Sequence, residues 1–354
     1  MTNTIPTSGY AALSPKSKLT PFKFERRAVG KHDVALDIHY AGICHSDIHQ
    51  VREEWGSALF PMVPGHEIAG IVTQVGSNVT KFKIGDRIGV GVFIDSCRKC
   101  ENCQKGINNY CLEGMTGTYN GYERNSQQIA FGGYSNKFVV NQDYAVKIPD
   151  NLDLAGVAPL MCAGITLYSP LKHWNTGPGK KVGIIGLGGL GHMGVKYAKA
   201  LGAHVTVFSH SPNKKEDALK LGADEFVSTK TLDSESNLFA IYNNTFDLVL
   251  NTTGVPLDLN PYLELLKTDA TLVFIGLSGQ PYPIEAGKLL PKRRSVAGSM
   301  IGGMDELQEM LDFSGEKNIV SEIEVINPEQ INEAYDRTVA SDVKYRFVID
   351  AKKF

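Results

Sequence analysis

Two patterns of apolar and polar positions divide the chain. Between residues 22 and 148, apolar residues alternate with polar ones in short segments separated by glycine-rich turns, which predicts an all-β, barrel-like lobe. Residues 33–40 are its clearest strand, and residues 113–133 show no period and are predicted to be a surface loop. The other strands predicted here cover residues 71–75, 88–93, 134–140 and 145–148.

From residue 181 the pattern changes to alternating strands and helices. The predicted strands are residues 182–185, 205–208, 225–227, 246–250, 272–275 and 295–298. Six strands in this rhythm predict an α/β, doubly wound parallel sheet. The preceding helical stretch is residues 153–168, and the chain ends in helices 305–313 and 328–339 and strands 323–325 and 345–349. We therefore expect a second domain, residues 156–295, inserted between two pieces of the first, residues 1–155 and 296–354.

Composition and charge indicate which kinds of binding partner are expected. The chain has 354 residues and a formal net charge of −2 with no run of like charges, so neither nucleic acid nor an anionic membrane is an expected partner. No apolar run approaches about 18 residues, and residues 1–30 contain basic residues but no apolar leader. A cytoplasmic protein acting on a small molecule is expected. Six cysteines in so long a chain do not indicate a disulfide framework.

A glycine-rich turn follows the predicted strand 182–185. Gly186 suits a tight turn, Gly188 lets the backbone approach a pyrophosphate, and Gly191 permits close packing of the following helix, predicted at residues 195–201. The helix N-terminus would add unpaired N–H groups. A glycine turn between a strand and a helix predicts dinucleotide binding. The alternative is a glycine-rich turn in an unrelated α/β unit, which would have the same sequence pattern.

Four of the six cysteines occupy fifteen positions. Their spacing is typical of a closed, structural zinc site with four thiolates, and the ligands would be Cys97, Cys100, Cys103 and Cys111. An iron–sulfur cluster is the main competitor, but the ferredoxin run closes with a shorter spacing and a proline. Four free thiols are the remaining alternative.

Several motifs resemble one known family. The stretch Gly65-His66-Glu67-x2-Gly70-x5-Gly76-x2-Val79 resembles the motif of zinc-containing alcohol dehydrogenases in the medium-chain dehydrogenase/reductase superfamily. The segments 44–49, 159–166 and 298–304 resemble more narrowly its cinnamyl alcohol dehydrogenase branch. The likeness covers nearly the whole chain. It implies a GroES-like β-rich catalytic domain, a Rossmann cofactor domain, two zinc ions per chain and a homodimer.

The resemblance also implies a catalytic zinc with an open coordination position. Cys44, His66 and Cys162 would be its ligands, Asp47 would orient His66, and Glu67 would approach the zinc from behind. Without the family, these would be two structural cysteines and an ordinary histidine. Zinc would act as a Lewis acid on the substrate oxygen while hydride moves to or from a nicotinamide.

By the same resemblance, a proton relay runs from the Ser46 hydroxyl through the cofactor ribose to His49, because histidine exchanges protons near neutrality. A turn serine and a solvated histidine are the alternatives. The resemblance adds further cofactor contacts to the glycines, at His45, Thr166, Gly189 and Leu190.

The second strand of the predicted parallel sheet bears on which nicotinamide is bound. NAD-binding folds place an acid about 20 residues past the glycines, whereas here the strand ends in Ser209-His-Ser211 and no acid precedes Glu216. Ser209, Ser211 and Lys214 would suit the 2′-phosphate of NADP(H). The alternative is that Lys214 merely begins a solvated helix.

The evidence for the substrate class comes from apolar residues and is weaker than that for the metal and the cofactor. The family lines its substrate channel at the positions of Trp55, Phe93, Leu277, Met300 and Ile301, which favours aromatic or apolar primary alcohols and aldehydes of the cinnamyl or benzyl type. Residues 117–119 lack the tryptophan of plant cinnamyl enzymes, so benzyl and medium aliphatic alcohols stay open. Two rival functions are an NAD-dependent polyol or amino-alcohol dehydrogenase and a non-catalytic zinc- and dinucleotide-binding protein.

Overall fold

The computed structural model describes residues 4–230 and 238–354. The chain forms two compact units. The β-rich unit is Met1–Ile165 with Ile301–Phe354, and the parallel-sheet unit is Thr166–Met300. The boundaries predicted from the sequence lie after residues 155 and 295. The helical residues 154–161 belong to the β-rich unit because they pack against its central strands.

The elements follow one another along the chain, with short 3-10 turns between some of them. Those up to residue 165 are β1 Ile5–Ala11, β2 Thr20–Arg26, β3 Asp33–Gly42, α1 His45–Val51, β4 Ile68–Val75, β5 Arg87–Val90, β6 Phe93–Asp95, α2 Glu101–Gln104, β7 Thr116–Gly117, β8 Gly121–Tyr122, β9 Ile129–Ala130, β10 Lys137–Asn141, β11 Val146–Lys147, α3 Leu154–Val157 and the first residues of α4 Ala163–His173. The parallel-sheet unit continues with β12 Lys181–Ile185, α5 Gly191–Ala200, β13 His204–Ser209, α6 Lys215–Leu221, β14 Glu225–Ser228, α7 Leu238–Ile241, β15 Phe246–Asn251, α8 Asn260–Glu264, β16 Leu266–Phe274, α9 Ala286–Leu289 and β17 Ser295–Gly298. The chain ends with α10 Met304–Lys317, β18 Ile323–Ile326, α11 Ile331–Val339 and β19 Arg346–Asp350.

The β-rich unit is built on a seven-stranded sheet. Its order is β11-β5-β4-β3-β19-β18, with β10 also paired to β3. All pairs are antiparallel except β18 with β19. The strand β3 lies at the centre because it is buried along most of its length and pairs with three neighbours. It ends two residues before Cys44, which is the N-cap residue of α1.

The parallel-sheet unit has the strand order β14-β13-β12-β15-β16-β17, and every pair in it is parallel. This is the doubly wound order in which the first strand of each half lies at the centre. Its strands are nearly continuous apolar runs, as expected where helices cover both faces. The predicted α/β class and the doubly wound sheet are confirmed.

The prediction that residues 113–133 form a surface loop is wrong in its centre. Three short strands, β7 to β9, lie in this segment, and Thr118, Tyr119 and Gly132 are buried. The segment has no sequence period because each strand is only two residues long. Its buried residues pack against the β-rich core, so tertiary contacts decide its structure.

Within residues 4–230 and 238–354, no single helix is long and apolar enough to cross a membrane; only the bent pair Leu154–Met161 and Ala163–His173 would meet such a criterion together, on length and composition.

Candidate metal centres and cofactor site

The four cysteines of the 97–111 segment converge. The sulfur atoms of Cys97, Cys100, Cys103 and Cys111 all lie within 4.8 Å of one another. The Cys97 and Cys103 sulfurs are 3.9 Å apart, close to the ~3.8 Å edge of a tetrahedron with zinc–sulfur bonds of about 2.3 Å. The four sulfurs therefore fit a zinc ion as a closed structural site.

Backbone amides of the same loop stabilise negative charge on these sulfurs. The Leu112 N–H donates to Cys100 at 3.5 Å, and amide contacts of this kind lower the pKa of Cys100 to about 6. The Cys97 and Cys100 amides donate to Cys111 and Cys97 respectively, both at 3.4 Å. The loop is thus shaped to hold thiolates, which are the metal-binding form.

A second cluster lies deep in the β-rich unit. One ligand atom from each of Cys44, His66, Glu67 and Cys162 lies within 4.8 Å of the others, and all four residues are buried. Cys44 stands between β3 and α1, His66 and Glu67 precede β4, and Cys162 follows the 158–161 turn. The fold therefore brings together residues that no sequence spacing relates.

The two cysteines of this second cluster are electrostatically unequal. A hydrogen bond with Cys162 is the largest influence on Cys44 and holds its pKa well below the usual thiol range, despite burial. The same interaction raises the pKa of Cys162. The two sulfurs lie within 4.8 Å of each other, which is close enough for one cation to bind both.

The Asp47 carboxylate positions Cys44 and His66 through hydrogen bonds. The carboxylate is fully buried, and its Oδ1 accepts hydrogen bonds from His66 Nδ1 at 3.0 Å and from the Gly65 amide at 3.1 Å. Its Oδ2 accepts from the Cys44 amide at 3.0 Å and from the Tyr134 hydroxyl at 3.1 Å. With Nδ1 occupied in this way, the lone pair of His66 Nε2 is left to bind a metal.

Glu67 forms a buried ion pair. One of its oxygens accepts from Arg346 of β19, and within the described part of the chain Glu67 Oε2 has no hydrogen-bond partner. Burial raises the pKa of Glu67 to about 8, although Arg346 opposes the shift. A Cβ at Gly42 would lie 2.0 Å from Glu67 Oε2, so the site requires glycine there. The unpaired buried oxygen fits a nearby cation.

Three residues of this centre were not predicted from the sequence. Tyr134 donates to Asp47, the Tyr119 ring stacks on His66 with centroids 5.9 Å apart, and Arg346 pairs with Glu67. They lie 87, 53 and 279 positions, respectively, from these partners in the sequence. The only available signal was that residues 117–119 occupy a position at which the family varies.

The residues predicted for proton transfer lie on α1. The Cys44 thiol donates to Ser46 Oγ at 3.6 Å, which places the hydroxyl beside the cluster. His49 is half-buried, contacts Glu54 through Nδ1, and stacks on Trp55 with ring centroids 4.7 Å apart. His45 is exposed, and its ring lies 5.9 Å from that of His49. Ser46 and His49 are three positions apart and therefore share one face of the helix.

The glycine turn of the parallel-sheet unit has the geometry that the sequence predicted. Gly186 has a φ of 91°, a Cβ at Gly191 would lie 2.1 Å from Gly186 O, and a Cβ at Gly188 would meet nothing within 4 Å. Gly189 and Leu190 are half-buried, and α5 begins at Gly191, earlier than the predicted residue 195. The open backbone at the N-terminus of α5 fits a pyrophosphate.

The end of β13 converges on this turn. The Lys214 ammonium donates to the Leu187 carbonyl at 2.9 Å, and burial lowers the pKa of Lys214. The Ser211 amide donates to Ser209 Oγ at 3.2 Å. Thr166 is buried near the start of α4 in the same unit. A cation and two hydroxyls beside the glycine turn fit a dinucleotide that carries an additional phosphate.

The predicted substrate-contacting residues are distributed over both units. Phe93 and Ile301 are buried and border one small apolar crevice in the β-rich unit, near Met161. Trp55 is 42% exposed and covers His49. Leu277 and Met300 belong to the parallel-sheet unit and are exposed.

One chain that combines a parallel sheet carrying a dinucleotide turn with a β-rich unit carrying two zinc-type clusters defines a zinc-containing dehydrogenase. Residues 30–150 match the alcohol dehydrogenase GroES-like domain and residues 189–316 match the zinc-binding dehydrogenase domain. The chain is 57% identical over 344 residues to the NADP-dependent alcohol dehydrogenase C 1 of Mycolicibacterium smegmatis, covering 97% of each protein.

Solved structures agree. A cinnamyl alcohol dehydrogenase of Sorghum bicolor superposes with a TM-score of 0.93 at 42% identity, covering 98% of each chain. The corresponding enzyme of Helicobacter pylori, solved in complex with NADP(H), gives 0.91 at 41% identity and 99% coverage of each. The chain belongs to the zinc-containing alcohol dehydrogenase family, and the resemblance found in the sequence, including its cinnamyl branch, is confirmed.

Proposed function

We propose that this protein is an NADP-dependent zinc alcohol dehydrogenase that interconverts primary, aromatic or apolar alcohols and their aldehydes. The observation that carries the proposal is the buried convergence of Cys44, His66 and Cys162 around the Asp47 carboxylate. Relatives that are NADP-dependent alcohol dehydrogenases by name support it.

The catalytic cluster would hold one zinc ion through Cys44, His66 and Cys162. When bound, zinc supplies Lewis-acid polarisation of the substrate oxygen. Two thiolates and a neutral imidazole balance the charge of the ion, which favours a neutral site. Asp47 keeps the His66 proton on Nδ1, and Arg346 holds the Glu67 carboxylate at the rear of the cluster.

Proton transfer is assigned to α1. The Ser46 hydroxyl lies beside Cys44 and is placed to exchange a proton with the substrate hydroxyl. His49 lies on the same face and is partly exposed, so it is placed to exchange protons with solvent. The contact between Glu54 and Nδ1 fixes the ring, and this leaves Nε2 as the nitrogen that gains and loses the proton.

Cofactor choice is assigned to Ser209, Ser211 and Lys214. A 2′-phosphate would meet two hydroxyls and an ammonium, whereas an NAD-type site would present a carboxylate at the end of β13. The glycine turn 186–191, with Thr166 of the same unit, would contact the remainder of the dinucleotide, and the cofactor contact at His45 stays a prediction from the family resemblance. This arrangement disfavours the NAD-dependent polyol alternative.

The cellular setting is proposed as well. Within the described ranges, which contain all six cysteines, none forms a disulfide. Reduced clustered thiols suit the cytoplasm. The strand β17 lies at one edge of the six-stranded parallel sheet, where pairing with a second copy would extend the sheet, and this position supports a homodimer. Light scattering at several protein concentrations measures that state, and a constant mass of one chain would exclude it.

An assay of NADPH and NADH oxidation against benzaldehyde, cinnamaldehyde, butanal and a ketohexose tests the function. We expect NADPH-dependent reduction of the first three, and loss of that activity in Cys162→Ala together with one of about two zinc ions per chain. Activity only with NADH and the ketohexose would favour the polyol alternative. Failure with every substrate, with both zinc ions bound, would favour the non-catalytic one.

A further inference from the structure

The helix α10 is capped by a residue of the four-cysteine loop. Its N-cap position is Gly303, which has no side chain to accept the first amides of the helix. Instead, Asn108 Oδ1 accepts a hydrogen bond from the Met304 amide at 3.0 Å, across 196 positions of sequence. The start of α10 is therefore fixed by the loop that carries Cys97 to Cys111.

Asn108 is hydrogen-bonded to one of the four cysteines, and Gly106, two residues before it, is hydrogen-bonded to another. It begins the 3-10 turn that leads into Cys111, and the Cys111 amide donates to the Asn108 carbonyl at 3.2 Å. On its other side, the Gly106 amide donates to the Cys103 carbonyl at 3.1 Å. A Cβ at Gly303 would lie 1.9 Å from Gly106 O, so the two backbones are in close contact. The placement of Asn108 thus depends on how the cysteines are held.

Ile301, just ahead of this contact, has an unfavourable backbone conformation. Its φ is 45°, in the left-handed region, which is strongly disfavoured for a β-branched residue. Such a conformation persists where the surrounding structure enforces it. Ile301 is nevertheless buried, and a Cβ at the adjacent Gly302 would lie 2.7 Å from Ile165. Contacts on both sides therefore hold this turn.

The turn forms one wall of the apolar crevice. Ile301 and Met304 line it together with Phe93, Ile165 and Met161, and Met161 is adjacent to Cys162 in the chain. The crevice leaves a volume of only about 10 Å³, so a small displacement of Ile301 would change its shape. This places a wall set by the four-cysteine loop close to the catalytic cluster.

We propose that Asn108 is a positioning residue through which the four-cysteine loop holds Ile301 in its strained conformation and so tunes which aldehydes are accepted. The inference rests on the proposed function, because the shape of this wall affects specificity only if Cys162 belongs to the catalytic zinc site. The loop then has a second role besides binding a structural ion.

Amide hydrogen exchange of the zinc-loaded protein tests the mechanical part. Asn108→Ala removes the cap, and we expect the amides of Met304–Leu307 to exchange about 5-fold faster, as for a lost helix cap. Asn108→Asp keeps an acceptor and is expected to stay within about 2-fold of the wild type. Asn108→Ser has a hydroxyl acceptor on a shorter side chain, and we expect an intermediate exchange rate. This variant replaces Asn108→Ala in the test if the alanine variant does not fold.

Asn102→Ala is the matched control. Asn102 donates to the Tyr110 carbonyl at 2.7 Å, so this variant removes one side-chain hydrogen bond of the same loop and leaves the cap and the Cys111–Asn108 hydrogen bond in place. We expect unchanged exchange at Met304–Leu307 in this control and two zinc ions per chain in every variant. Equal exchange in Asn108→Ala and wild type, or an equal increase in Asn102→Ala, would overturn the coupling.

Steady-state kinetics with benzaldehyde and butanal test the effect on specificity. In Asn108→Ala the ratio of the two kcat/KM values should change by about 3-fold or more, mainly through KM, and Asn108→Asp should restore it. An unchanged ratio despite faster exchange would overturn the link to Ile301. A wild type without dehydrogenase activity would refute the proposed function and the specificity effect together, whereas the exchange result stands independently.

Discussion

Asp47→Asn perturbs the carboxylate on which the catalytic cluster depends. Asp47 accepts four hydrogen bonds, two at each oxygen, from the Cys44 and Gly65 amides, His66 Nδ1 and the Tyr134 hydroxyl. An amide keeps only one oxygen. Tyr134 can turn its hydroxyl to accept from the new NH2 group, but the Cys44 amide cannot, so one buried donor loses its acceptor.

The expected loss of stability follows from this one buried donor without an acceptor. A buried donor without an acceptor costs about 1–3 kcal/mol, which lowers Tm by roughly 2–12 °C for a unit of this size. Because Cys44 and His66 are both positioned by Asp47, zinc affinity at the catalytic cluster should fall about 10- to 100-fold. The four-cysteine site makes no contact with Asp47 among these hydrogen bonds, so its zinc should be retained.

Thermal unfolding and zinc release to a chromogenic chelator measure the two effects. Asp37→Asn is the matched control, because Asp37 forms a largely exposed ion pair with Lys137 at 2.7 Å, worth about 1 kcal/mol or less. Unfolding and zinc release in Asp47→Asn that match those of Asp37→Asn would refute the role given to Asp47.

Three further predictions concern cofactor choice, proton transfer and pH. Lys214→Met should raise KM for NADPH about 10-fold or more and KM for NADH less than 2-fold, since a charged hydrogen bond contributes about 1.5–3 kcal/mol; equal rises would contradict the assignment. His49→Gln should lower kcat about 10-fold or more and alter the pH–rate profile with both zinc ions bound, unlike the exposed control His173→Gln; an unaltered profile would remove His49 from the relay. Burial would raise the pKa of Asp224, but hydrogen bonds from Lys199 and the Val205 amide lower it below the unfolded value of about 3.9. The wild type should therefore be more stable than Asp224→Asn above about pH 5, and the difference in Tm should vanish as pH falls through the lowered pKa; a constant difference down to pH 2 would contradict this.

Features encoded locally were predictable from the sequence. The strands of the parallel sheet are buried apolar runs bounded by turns, and Ser295–Gly298 was predicted to the residue. The glycine turn was predictable because each glycine has a steric reason that is visible in the letters. The four-cysteine cluster was predictable because its ligands lie within fifteen residues.

Features that depend on tertiary contacts were not predictable in this way. The candidate ligands Cys44, His66 and Cys162 could be proposed only through a family resemblance, because β3, β4 and the 158–161 turn come together only in the folded unit. Arg346 pairs with Glu67 across 279 positions, and nothing near it marks a functional residue. Residues 116–120 are largely buried although their composition is typical of a loop, because Thr116 and Gly117 pair with Asp95 and Phe93 of β6, 21 and 24 positions earlier.

The central claim is that Cys44, His66 and Cys162 hold a catalytic zinc ion distinct from the four-cysteine ion. Anomalous diffraction recorded on both sides of the zinc absorption edge from crystals of the protein measures this directly. The account predicts two zinc peaks per chain, one among Cys97, Cys100, Cys103 and Cys111 and one among Cys44, His66 and Cys162. A single peak at the four cysteines, in protein that still reduces benzaldehyde with NADPH, would contradict it.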